Sequence, residues 1–283
     1  METKNYIKPK KNKNPMTMLA IGFVIGAALS TGSFWAGTLY AVGTANRNTP
    51  GVEQTTVQTT GETLSPTLSI SYGLAYKATS DTIGEITGIG SCTDTEIIIP
   101  QYIAGLMVTS IGKNAFQNCG DLKSVTLHGG IRSIEDYAFY GCSNLTSVVM
   151  AESVTKIGDY AFRGCKNLAS IVIPAGVTNI GTSSFLGCES LTNVTILEGV
   201  TKIGGSAFQG CKNLSSITIP KSLMSIENYS FHSCSKLSTI NYSGNVSQWQ
   251  NISKRTAWDP GTPDYTVYCT DGTISKDGTV TYN

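Results

Sequence analysis

Ile157-Gly158-Asp159-Tyr160-Ala161-Phe162-Arg163-Gly164-Cys165-Lys166-Asn167-Leu168, followed after two residues by Ile171-Val172-Ile173-Pro174, is one copy of a unit that returns every 23 residues. Phenylalanine recurs at Phe116, Phe139, Phe162, Phe185, Phe208 and Phe231. Three residues after each stands a cysteine, at Cys119, Cys142, Cys165, Cys188, Cys211 and Cys234, and three residues further a leucine, from Leu122 to Leu237. An isoleucine marks a constant phase at Ile111, Ile134, Ile157, Ile180, Ile203 and Ile226. Six copies without an insertion define a repeat architecture.

Each copy holds a short alternating segment in which Ile171 and Ile173 point to one side and Ser170 and Val172 to the other. Pro174 and Pro220 end such segments. A single unit cannot bury Leu168, Ile171, Ile173, Ile157 and Phe162, whereas stacked units can. Strands about 4.8 Å apart in a parallel sheet make six copies a slab of roughly 30 Å. The same spacing sets the cysteines in a column of parallel side chains, while a disulfide requires Cβ atoms within about 3.5–4.5 Å and turned toward each other. Reduced, buried thiols are therefore expected. Cys92 and Cys269 stand outside the register, and a bond from either to a neighbour is left open.

These residues resemble the BspA-like class of leucine-rich repeat, over about residues 68–283. Ser184 and Ser230 replace the alanine before Phe, Asn118 and Ser233 replace the glycine before Cys, and Tyr242 ends the last strand. The resemblance implies a surface protein, bacterial and sometimes protist, that adheres to host proteins or other cells. The expected fold is mostly β, a leucine-rich-repeat solenoid with a parallel β-sheet face, preceded by one N-terminal apolar helix.

Segment boundaries follow from composition. Residues 1–15 carry five lysines and one glutamate, a charge of +4; the whole chain is +1, so the remainder is −3. So neutral a body excludes an electrostatic footprint for nucleic acid. Residues 16–43 are read as a transmembrane signal-anchor or a cleaved signal peptide, since lysines stay on the cytoplasmic side. An uncleaved segment places the C-terminal domain at the cell surface, and cleavage secretes it. Residues 44–67, rich in Thr, Gln, Gly and Pro, read as a flexible linker. Residues 68–107 read as a hairpin-bearing cap, 108–245 as the six repeats, and 246–283 as a second cap; Lys254 is expected at the Phe phase, where the repeat ends.

Charged residues are only 14% of the chain, and the two histidines, His128 and His232, lie several coils apart at different phases. Neither a catalytic constellation nor a metal-ligand spacing is present in the sequence, and no cofactor is expected. Recognition is left to the solvent face of the sheet: Lys123, Ser124, Thr126, Thr146, Ser147, Val149, Ala169, Ser170, Val172, Thr192, Asn193, Thr195, Ser215, Ser216, Thr218, Ser238, Thr239 and Asn241. Tyr137, Tyr160 and Tyr229 recur on an edge loop and form a second candidate patch. The expected partner is an extracellular protein or glycan, with the membrane contacted through residues 16–43 if uncleaved. A structural spacer or envelope-scaffolding module without a ligand is the alternative.

Overall fold

A computed structural model describes residues 20–22, 39–41 and 70–283, and the chain divides into two units, Met1–Ser69 and Ile70–Asn283. The helix expected over residues 16–43 is not supported. Its described residues form two strands, Ala20–Gly22 and Leu39–Ala41, paired antiparallel. Ser30, Thr31, Gly32 and Ser33 separate them in sequence, and Gly and hydroxyl residues are weak helix formers. The remainder of 16–43, the basic tail and the linker lie outside the described residues, among which no helix is long and apolar enough to cross a membrane.

In the second unit every coil contributes three ladders rather than the one the alternating segment announces. The first is a parallel sheet in two pieces. Glu96–Ile98, Ser124–Thr126 and Ser147–Val149 form one; Ser170–Ile173, Asn193–Ile196, Ser216–Ile219, Thr239–Tyr242 and Thr266–Cys269 form the other. Gly272–Ser275 and Val280–Tyr282 extend the latter antiparallel. A second parallel sheet runs through the isoleucine column, from Leu106–Ile111 by two-residue strands such as Lys156–Ile157 and Asn179–Ile180 to Ser253–Lys254. A third ladder joins the Phe turns, as where Phe139 N donates to Ala161 O and Phe162 N to Ser184 O, each at 2.7 Å. Backbone groups of a buried turn are thereby satisfied by the next coil.

The turn needs two left-handed residues per coil. Asn118, Gly141, Gly164, Gly187, Gly210 and Ser233 have φ between 59° and 75°. Glycine adopts this conformation at no steric cost, and Asn is among the better-tolerated substitutes.

Between the ladders the phenylalanines form one column. Successive rings from Phe116 to Phe231 are stacked 5.1–5.5 Å apart, and all six are fully buried. Ser184 stands in the neighbouring column of Ala138, Ala161, Ala207 and Ser230. The Ser230 hydroxyl donates to Gly204 O at 3.0 Å, but the buried Ser184 Oγ has no partner among the described residues. Ser184→Ala is expected to stabilise the protein by about 1 kcal/mol or more, because a buried unsatisfied hydroxyl is removed. A lowered thermal midpoint in this variant would show that the hydroxyl is bonded.

Both ends are covered. Upstream, Ala75–Ala78 and Ile83–Gly88 pair antiparallel, and Ile83–Gly88 pairs parallel with Leu106–Ile111. Downstream, the helix Val246–Asn251 is closed by a capping box between Asn245 and Gln248. Its insertion corrects the expected phase of Lys254, which pairs with Ile226 in the isoleucine column. Lys254 Nζ donates to the Trp249 and Ile252 carbonyls at 2.6 and 3.1 Å, and burial pushes this amine down to about 8. Trp258, edge-on to Phe231 at 5.8 Å, closes the phenylalanine column instead.

Candidate functional site

The outward residues of the first sheet fall into three columns with different duties. Lys123, Thr146, Ala169, Thr192, Ser215 and Ser238 form the first. Its hydroxyls are engaged: Thr146 Oγ1 donates to Lys123 O at 3.0 Å, Thr192 Oγ1 to Ala169 O at 3.1 Å, and Ser215 and Ser238 to Thr192 O and Ser215 O at 3.3 Å. These bonds stitch coil to coil and leave those side chains no free donor.

Two columns stay available. Ser124 stands in register with Ser147, and Ser170 with Asn193, Ser216 and Thr239. Thr126 likewise aligns with Val149, and Val172 with Thr195, Thr218 and Asn241. The last column continues to Tyr268, in register with Asn241. Val149, Val172 and Tyr268 are 47%, 52% and 50% exposed, the apolar anchors of a face otherwise made of hydroxyls and amides. Tyr268 was hidden from the repeat pattern because it follows Asn241 after 27 residues instead of 23.

The edge-loop tyrosines are not one patch. Tyr137 and Tyr160 stack at 4.8 Å, Tyr140 lies 5.8 Å from Tyr137, and the Arg163 guanidinium sits 5.7 Å from Tyr140 and 5.6 Å from Tyr160. Tyr229 stands beyond Ser183 and Ser206 in the same turn position and meets His232 edge-on at 5.7 Å.

All eight cysteines are free thiols. From Cys142 onward each thiol of the column donates to the carbonyl of a phenylalanine 26 residues earlier, as Cys142 to Phe116 at 2.9 Å and Cys188 to Phe162 at 3.2 Å. Cys119, at the column's N-terminal end, is partly exposed, as are Cys92 and Cys269. Burial pushes Cys142, Cys188 and Cys234 up to about 12 and raises Cys165 and Cys211 well above the ordinary value. Thiols so protonated are poor nucleophiles and metal ligands. His128 accepts from Gly130 N at 3.0 Å, and burial lowers its pKa, so it is held neutral. Among the described residues no group of three or more His, Cys, Asp or Glu is arranged to hold a metal ion.

Stacked coils with continuous interior columns, two parallel sheets and covered ends define a leucine-rich-repeat solenoid. The chain belongs to the BspA-type leucine-rich-repeat family, whose model matches residues 90–214 and 155–254 in six copies. Solved structures agree. A leucine-rich-repeat protein of T. pallidum is 29% identical with a TM-score of 0.55, the match covering 62% of this chain and 85% of that one. One from Bacteroides ovatus is 28% identical with a TM-score of 0.51, over 61% of this chain and 54% of that one. A leucine-rich cell surface protein from Faecalibacterium prausnitzii is 30% identical with a TM-score of 0.50, over 65% and 41%. No curated protein matches the chain.

Proposed function

We propose that the chain is an exported, surface-displayed binding module that catalyses nothing and recognises an extracellular protein or glycan with the outward face of its first sheet. The observation that carries this reading is the division of labour among the columns. One is consumed in holding coils together, while two, one of them carrying Val149, Val172 and Tyr268, have no part in the core. A flat face of hydroxyls and amides with few large anchors gives modest affinity, which many displayed copies multiply. The relative from F. prausnitzii, described as a cell surface protein, supports the location.

Cells displaying the chain are expected to attach to surfaces coated with matrix protein or glycan. Thr195→Arg, placed mid-face, should abolish attachment while leaving the thermal midpoint unchanged. Attachment that persists in this variant favours the spacer reading.

A further inference from the structure

Two positions of the phenylalanine turn vary from coil to coil while the interior columns stay constant. Two residues before Phe, Tyr137 and Tyr160 stand where other coils carry Asn114, Ser183 and Ser206. Directly after Phe, Tyr140 and Arg163 stand where other coils carry Gln117, Leu186 and Gln209. Those coils stack with neither an aromatic nor a cationic side chain at these places, so coil packing does not call for the tyrosines or the arginine.

Adjacent coils bring the four into one partly exposed cluster. Tyr137 and Tyr160 stack at 4.8 Å within 10° of parallel, and Tyr140 lies 5.8 Å from Tyr137, tilted by 47°. The Arg163 guanidinium sits over Tyr140 and Tyr160, 5.7 and 5.6 Å from their ring centres, close enough for cation–π attraction to hold it.

No carboxylate meets that guanidinium. Lys156, Lys202, Lys212 and Arg255 are each paired with a glutamate, whereas Arg163 and the exposed Lys166 form no salt bridge among the described residues. Asp136 and Asp159, which precede the two tyrosines, are turned to the main chain of the next coil: Asp136 Oδ1 accepts from Asp159 N at 3.0 Å and Asp159 Oδ1 from Thr182 N at 2.7 Å. A planar guanidinium already positioned by rings loses little freedom on taking a carboxylate in its two-pronged fork. Tyrosine and arginine are also the side chains on which tight protein interfaces depend.

We propose that this cluster docks an acidic segment of a partner protein, with an Asp or Glu of the partner on Arg163 and its neighbouring apolar side chains on Tyr137, Tyr140 and Tyr160. A carboxylate could also come from an acidic sugar, but rings set in two planes offer more apolar contact than one sugar ring covers, and a peptide spans both. The surface lies on the phenylalanine turns and does not rest on the first-sheet reading above.

Selection of displayed random peptides on the immobilised full chain, followed by fluorescence anisotropy of the enriched ones, tests it. Peptides containing Asp or Glu are expected to be enriched, and sialyllactose should not displace them. Tyr137→Ser, Tyr160→Ser and Arg163→Gln introduce residues that other coils carry at the same positions, so the fold is kept. Each should weaken binding about tenfold or more, and Arg163→Lys, which keeps the charge without the fork, should weaken it as well. Thr195→Arg, on the first sheet, should leave peptide binding unchanged. The proposal is overturned by an absence of enrichment, by enriched peptides without an acidic residue, by displacement with sialyllactose, by binding that survives the three turn substitutions, or by binding lost in Thr195→Arg.

Discussion

Phe162→Ala is expected to lower the stability of the repeat unit by about 3–5 kcal/mol. The ring is fully buried and stacked on both faces, 5.1 Å from Phe139 and 5.3 Å from Phe185. Its removal strips two coil interfaces at once and leaves a cavity that neighbours cannot fill, because their positions are fixed by the ladders on three sides. Phe116, which stacks on only one phenylalanine of the column, is expected to be less costly to truncate. Urea denaturation of the two variants gives the comparison. An unchanged midpoint for Phe162→Ala is incompatible with the stacked core.

The second large effect is alkaline. Unfolding releases thiols that ionise near their ordinary value of 9.0, whereas Cys142, Cys188 and Cys234 keep their protons up to about 12 in the folded chain. The folded state therefore binds more protons between these limits. Stability is whole below about pH 9 and falls as pH rises toward 12, since it declines wherever the unfolded state binds fewer protons. At pH 10 each of the three costs on the order of 1 kcal/mol, a few kcal/mol together, and Cys165 and Cys211 add to it. Denaturation midpoints at successive pH values check the slope. Replacing the three cysteines by alanine lowers stability at neutral pH but should flatten the alkaline decline; an equally steep decline in that variant would assign it to other groups.

Constant spacing made the architecture legible, because identical side chains 23 residues apart have only one economical way to be buried together. The phenylalanine and cysteine columns and the inward isoleucines Ile171 and Ile173 could be read directly from periodicity. The second sheet could not: strands of two residues, such as Lys156–Ile157, are too short to show alternation. Lys254 was misplaced because the helix Val246–Asn251 interrupts the count.

At the surface the sequence named candidates without ranking them. Thr192 and Asn193 look alike as letters, yet the hydroxyl of one is tied to Ala169 O while the other stands in an outward column. Tyr137, Tyr160 and Tyr229 share a phase, but the serines at 183 and 206 separate the third from the other two.

The uniformity of the ladders bears on how such a molecule can change over generations. Since successive coils from Ser170 onward meet in one register, duplicating or deleting one 23-residue segment of coding sequence keeps the columns in phase and shifts the distance between the terminal covers by about 5 Å per event. Reach can therefore drift among descendants in discrete steps, whereas a segment of another length has to take up its extra residues between the ladders, as the helix Val246–Asn251 does.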